Sequence, residues 1–453
     1  MTLSGEAHTP PTTSFARHNR RREHVAICQT EKTMQPVSDP VVPEFVTRLQ
    51  RIDTYAEVEE IMKSPDFIMA GGEERTMFLE DCLIMSEGQR HSELKQLFSP
   101  LFSRQAIAYY ELHLVEPVIA NAIAEMQTRR GSDGLMRTDV VALIHATLTR
   151  ISAEVTGVDG VDTPERTDRF RDLVLTLSAA TTGSFSALPK AEVNRAGKEA
   201  MAALVDEFLQ ASLDRRIELV RRHRAGEVAK DALPRDVLTS MCLHDDLYHA
   251  DDNEKIPYRW RQSAQFLTAS IKTTSHSLPH VFIHLDEWLH EHPADKEKLS
   301  DPEFLHRAAA ESFRLHQTTP ARFRAAARDV TLSTGRKVAQ GEMVALHAPI
   351  ANVQSEVFGH DARCFNPRRE VPKGMQPWGM TFGLGVHSCI GRNLVTGNMN
   401  SGDTKHGTHG TAVRILMALY GLGAELDPAN PPKRPENSLH DTYESVPMIL
   451  RAK

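Results

Sequence analysis

From about Val42 onward, long stretches of this chain place apolar residues every three or four positions, the period of a half-buried helix. That period predicts helices over Tyr55 to Met62, Ile84 to Phe102, Tyr110 to Met126, Thr138 to Thr156, Pro164 to Ala180, Lys190 to Arg222 and Trp260 to Leu289. The fifth and sixth are separated by T-T-G-S-F-S-A-L-P, a Gly/Ser/Pro break that reads as a loop. Thr331 to Val344, with G-R-K-V and Q-G-E-M-V, reads as short strands and a turn. Near the C-terminus a short helix ends at about Thr396, and another runs from Thr411 to Tyr420. Between them, the glycines at 397, 402, 407 and 410 cannot sustain a helix, so Gly397 to Gly410 reads as an inserted mobile loop. The fold class is mainly α with a small β part.

Length changes this picture little. A chain of 453 residues suggests about three domains, yet no linker divides it, and residues 41–453 read as one domain. Residues 1–40 are polar and proline-containing, with a basic cluster at Arg20, Arg21 and Arg22, and read as poorly ordered. A net charge of −7 and 6% aromatic residues argue against a nucleic-acid partner. The cysteines, at 28, 82, 242, 364 and 389, show no C-x-x-C spacing, and their odd, dispersed count fits a reducing cytoplasm. No apolar run approaches a membrane span and no leader-like segment opens the chain, so it reads as soluble, without a membrane anchor.

The chemistry concentrates in F-G-L-G-V-H-S-C-I-G, Phe382 to Gly391. A glycine-rich loop can hold the Cys389 sulfur at its tip among backbone N–H groups, with a following helix pointing its positive end at it. Both favour the thiolate, a ligand for a soft or redox-active metal. A lone cysteine can instead be a small buried hydrophobe. A dinucleotide loop is excluded, because Ser388 stands where its third glycine is needed.

The segment resembles the haem-binding loop of the cytochrome P-450 superfamily, haem-thiolate monooxygenases of the soluble bacterial type, with every fixed position of F-G-x-G-x-H-x-C-x-G filled. The resemblance spans roughly residues 45 to 450 and implies a large helical domain with a small β-rich part, and heme b (iron protoporphyrin IX) as cofactor. It makes Cys389 the axial iron ligand and Phe382 its proximal neighbour. Gly383, Gly385 and Gly391 allow the close approach to the porphyrin, and His387 faces a propionate. Further propionate contacts are implied for His91 and Lys95, one turn apart, and for Arg324, with Arg322 competing and Arg328 a weaker choice. Glu311 and Arg314, as E-S-F-R, match the family's structural E-x-x-R pair.

The family's oxygen-handling helix is matched by A-S-I-K-T-T at Ala269 to Thr274. Thr273 is the expected oxygen-handling residue and Thr274 also matches. Lys272 replaces the family's acid, and its ordinary pKa holds a proton too tightly for relay. It can lie on the solvent side of the helix, pair with a carboxylate elsewhere, attract an acidic substrate group, or mark a peroxide-driven, isomerising or coupling enzyme. A haem-binding sensor or carrier is the non-enzymatic alternative. Phe266, Ala269, Met69 to Ile84 and the lid around Thr181 to Pro189 imply a mostly apolar small organic substrate, oxidised with O2. With no reductase segment, electrons come from ferredoxin and ferredoxin reductase or a similar donor. His276, His280 and His284 share helical spacing, but Pro279 interrupts them and no acidic ligand is spaced with them, so they read as core or surface histidines. His406 and His409 are too few to indicate a metal.

Overall fold

The structure, a computed structural model, describes residues 36–127, 131, 133–244, 256–398, 408–436 and 438–451. Its axis is the helix Tyr258–Glu291. Ala264, Leu267, Ile271, Leu278, Val281, Phe282 and Leu285 are all buried along it, a continuous stripe at helical spacing. Around that stripe pack Val140–Thr156, Pro164–Thr181 and Pro302–Leu315. The backbone stays helical through Pro279, whose missing N–H was expected to disturb it.

Helix starts are set by side-chain caps. Asp139 accepts from the Ala142 N–H, Thr163 accepts from the Arg166 N–H with Pro164 behind it, and Ser103 accepts from the Ala106 N–H. The Ser103 cap moves one boundary: the helix expected from Tyr110 begins at Arg104. It then passes through a π-helical turn at Glu111–Val115 into Glu116–Gln127. The stretch expected as one helix from Lys190 likewise contains a π-helical turn, Val205–Leu209, and ends at Arg224. The stretch expected helical from Ile84 is helical only over Gly88–Phe98, followed by a tighter turn at Ser99–Phe102.

A four-stranded sheet orders Gln50–Ile52, Met343–Leu346, Arg322–Ala326 and Phe67–Met69. Met69 lies opposite Arg324, and Arg322 opposite Leu346. Two apart on one strand, Arg322 and Arg324 share a face. A second sheet orders Met136–Asp139, Pro447–Leu450 and Ala424–Leu426.

The helix after the cysteine loop is Arg392–Thr396, and the next is Gly410–Gly421, close to expectation. The centre of the expected loop lies outside the described residues. Its ends are pinned: Asn398 and Thr408 form an antiparallel bridge, and Glu111 accepts from the His409 and Gly410 N–H groups at 3.0 and 2.8 Å. Gly397 and Gly410 both have positive φ, and a side chain on Gly410 would strike the Gly397 nitrogen. An insertion whose ends already meet costs the fold little.

Candidate active site

The sheet, the long helix and the cysteine loop enclose a cavity of about 410 Å³. Cys389 is accessible and lines it. The loop is held by hydrogen bonds from the Cys389 N–H to the Phe382 carbonyl at 2.8 Å and from the Gly383 N–H to the Met380 carbonyl at 2.9 Å. Gly383 and Gly385 have φ of 68°, and a Cβ on Gly385 would stand 2.7 Å from the Met62 carbonyl oxygen, so only glycine fits there. Gly391 has ordinary φ. It lines the cavity, and a Cβ there would meet only Phe102, at 3.9 Å. Phe382 packs edge-on to Trp378 and Phe313 beneath the loop.

Burial pushes the Cys389 thiol up, and this outweighs the Gly391 and Arg392 N–H groups and the Arg392 and Arg322 guanidiniums that pull it down. The loop therefore supplies the expected dipoles, although the protein packed behind the sulfur works against them. The helix behind the sulfur spans only Arg392–Thr396, too short to aim a large dipole. A bound metal would displace the proton.

The expected propionate residues gather on one rim. His91 and Lys95 both approach the Val386 carbonyl, and the His91 and His387 rings lie 4.3 Å apart. His387 Nε2 sits 2.9 Å from Glu87 Oε2. Burial opposes it, yet the bonds from His387 and the Met69 N–H hold the Glu87 carboxyl below its usual range. Arg322 and Arg324 both line the cavity, each pushed down to about 10, chiefly by burial. Both therefore reach the cavity, and Arg322 also donates to the Met380 and Thr381 carbonyls. Arg328 instead pairs with Asp66 at 2.6 Å on the surface. Arg75, which sequence reasoning missed, is a third guanidinium on the wall; its signal was a charged E-E-R run inside an otherwise apolar segment. The nearby carboxylates are engaged, Glu87 by His387 and Glu74 by Ser184 and Lys190. The rim keeps a surplus of buried positive charge, which suits a flat group carrying two carboxylates opposite a sulfur ligand. The residues therefore fit heme b.

On the far wall, Thr273 and Thr274 face the cavity with Ala269, Ser270 and Phe266. The Thr273 hydroxyl donates to the Ala269 carbonyl at 2.6 Å, leaving its lone pairs toward the cavity. Phe266 is held between Phe98 and Phe102. Met69, Leu83, Ile84 and the Thr181 to Phe185 segment also line the cavity.

Lys272 corrects the sequence expectation. It neither reaches solvent freely nor pairs with a described carboxylate. Its ammonium donates to Thr182 Oγ1 at 2.6 Å and to the Ser178 carbonyl at 3.4 Å, on a face of the helix that does not line the main cavity.

Beneath the cavity, Arg314 donates twice to Glu311 at 2.8 Å and once each to the Asn352 and Ala362 carbonyls. Arg369 joins from the other side at 2.9 Å. Asn352 then accepts from the Met380 N–H, so the buried ion pair is wired into the base of the cysteine loop.

His280 and His284 are core histidines, one of the two readings their spacing left open. His280 meets His316 and Asp441, the acidic partner that spacing could not show. However, the two rings stack at 3.7 Å with 13° between planes, so their in-plane lone pairs cannot meet at one ion. Asp441 is also paired to Arg434. This is a hydrogen-bonded network. Cys364 is disulfide-bonded.

A family model described as Cytochrome P450 matches residues 47–401. Among solved structures, the chain is similar to CalO2, at 19% identity with TM-score 0.64, covering 98% of each chain. It is also similar to CYP154A1 from Streptomyces coelicolor A3(2), at 16% and 0.64, covering 96% of this chain and 97% of that one. A third is CYP109E1 from Bacillus megaterium in complex with testosterone, at 18% and 0.60, covering 94% and 98%. At such identities the likeness carries the fold alone. No curated protein matches the sequence. Among the described residues, no helix is long and apolar enough to cross a membrane.

Proposed function

The chain belongs to the cytochrome P450 family, monooxygenases that bind heme b, and from that premise we propose that it oxidises a mostly apolar small organic molecule with O2 and two electrons from a separate ferredoxin-type donor. The observation that carries this reading is one cavity bounded by Cys389, by the cationic rim and by the Thr273 face. When bound, a thiolate-ligated haem supplies dioxygen activation, the thiolate pushing electron density that favours O–O cleavage.

This chain's residues do the rest. Cys389 would supply the sulfur, and Arg322, Arg324, His91, Lys95 and His387 would hold the carboxylates. Phe266, Ile84 and Phe323 line the cavity with apolar surface and limit the water beside the substrate. Proton delivery is not assigned to Lys272, which does not itself line this cavity. It falls to Thr273 Oγ1, with Thr274, Ser270 and Ser277 on the same wall.

Glu74 is the one carboxylate among the described residues lining the cavity, and Lys190 and Ser184 occupy it. That favours, as a second reading, a peroxide-driven reaction, which needs no acid to protonate dioxygen. The test is the absorbance of the reduced, CO-bound protein, followed by turnover. A red-shifted thiolate-type Soret band that Cys389→Ala abolishes supports the haem-thiolate reading, and its absence in the parent protein sinks it. Turnover with a reduced ferredoxin favours the first reading, and turnover with peroxide alone favours the second.

A further inference from the structure

At 3.6 residues per turn, Lys272 and His276 project from a different face of the long helix than Thr273. There they meet a second cavity, of about 310 Å³. Its wall includes His440, and Thr182 and Phe185 border both cavities.

The contents of this cavity are unbalanced. A lysine ammonium has three donors, and two acceptors are in place, both neutral: Thr182 Oγ1 and the Ser178 carbonyl. No described carboxylate forms an ion pair with Lys272. Glu444 borders the cavity, exposed and out of contact with it. Buried cations are ordinarily paired. Lys272 is pushed down to about 8 by burial alone, so it remains mostly charged at neutral pH. His276 Nδ1 is buried without a hydrogen-bond partner. His440 Nδ1 is 2.8 Å from the Thr318 carbonyl, which makes that nitrogen the donor and Nε2 an acceptor.

We propose that this second cavity binds a carboxylate, with Lys272 as its counter-charge and His276, whose Nδ1 has no partner, as the hydrogen-bonding neighbour. The carboxylate has two possible sources: the end of a long apolar substrate reaching past Thr182 from the main cavity, or a separate small acid. The first names the substrate class and rests on the haem-thiolate reading; the second does not.

The test titrates the ferric holoprotein, after its CO spectrum has been verified, with dodecanoate, methyl dodecanoate, benzoate and benzamide, by calorimetry and by Soret shift. The expected result is that an acid binds at least about tenfold tighter than its uncharged analogue, the scale of a lost hydrogen-bonded charge. Lys272→Met should erase that preference without changing affinity for the uncharged analogue, and Lys272→Arg should keep part of it. If Lys272→Met folds poorly, Lys272→Gln, which keeps hydrogen-bond donors without the charge, gives the second reading and should likewise erase the acid preference. Dodecanoate preference with a Soret shift assigns the substrate source; benzoate binding without a shift assigns the separate acid. Equal affinity for acids and analogues overturns the proposal. So does an acid preference that survives Lys272→Met, since Arg75 or Arg324 would then carry it. A failed CO spectrum overturns the haem reading alone, because calorimetry still reports the carboxylate.

Discussion

At the scale of single residues, neighbours in sequence have separate tasks because a helix turns them apart. Thr273 faces the main cavity and Lys272 does not. Thr273→Ala should leave the CO spectrum unchanged yet lower product formed per electron pair several-fold; unchanged coupling would remove Thr273 from proton handling. Lys272 has a sign of its own. Its pKa falls from 10.5 to about 8 on folding, so between those values the unfolded chain binds more protons and stability from this group rises with pH. Below pH 8 the buried charge is a standing cost. Lys272→Met should therefore stabilise the protein at pH 7 by about 2 kcal/mol, a gain that shrinks as pH rises from 8 toward 10.5. Denaturant titrations of both proteins across that range check it, and a pH-independent difference would refute it.

At the scale of elements, the junction between Arg392–Thr396 and Gly410–Gly421 depends on a distant carboxylate. Glu111 lies in the π-helical turn Glu111–Val115, accepts the His409 and Gly410 N–H groups, and takes two bonds from Arg414 at 2.6 and 2.8 Å. Glu111→Ala leaves these donors unmatched and should cost about 2–4 kcal/mol in chemical denaturation. A loss under about 0.5 kcal/mol would mean that water replaces the carboxylate. The π-helical turn itself could not be read from periodicity, because one extra residue in a turn barely disturbs a helical pattern.

At the scale of the whole molecule, the buried Glu311–Arg314–Arg369 network joins the helix Pro302–Leu315 to the base of the cysteine loop. Removing one partner strands a buried charge, so Glu311→Ala should lose about 3–5 kcal/mol and hold haem poorly. Denaturation and haem retention on gel filtration measure the two effects, and normal values for both would refute the link. Cations gathered on the cavity rim repel one another, so haem should raise the melting temperature well above that of the haem-free chain, as any ligand specific to the native state does. Arg322→Met and Arg324→Met should each reduce that increment, and an unchanged increment would remove them from propionate binding.

The sequence by itself determined the helices, because burying one face imposes a period that the chain displays, and it determined the cysteine loop, because its glycines and sulfur are local in sequence. E-S-F-R was legible for the same reason: its two charges sit on one helical face. Tertiary structure decided whatever depends on residues far apart in the chain. It put Arg75, Arg322 and Arg324 on one wall, and it brought Asp441 to His316. And it turned Lys272 from a misplaced acid into a buried cation facing a second cavity, because only the packing of Thr182 and His440 against that face shows where its charge points.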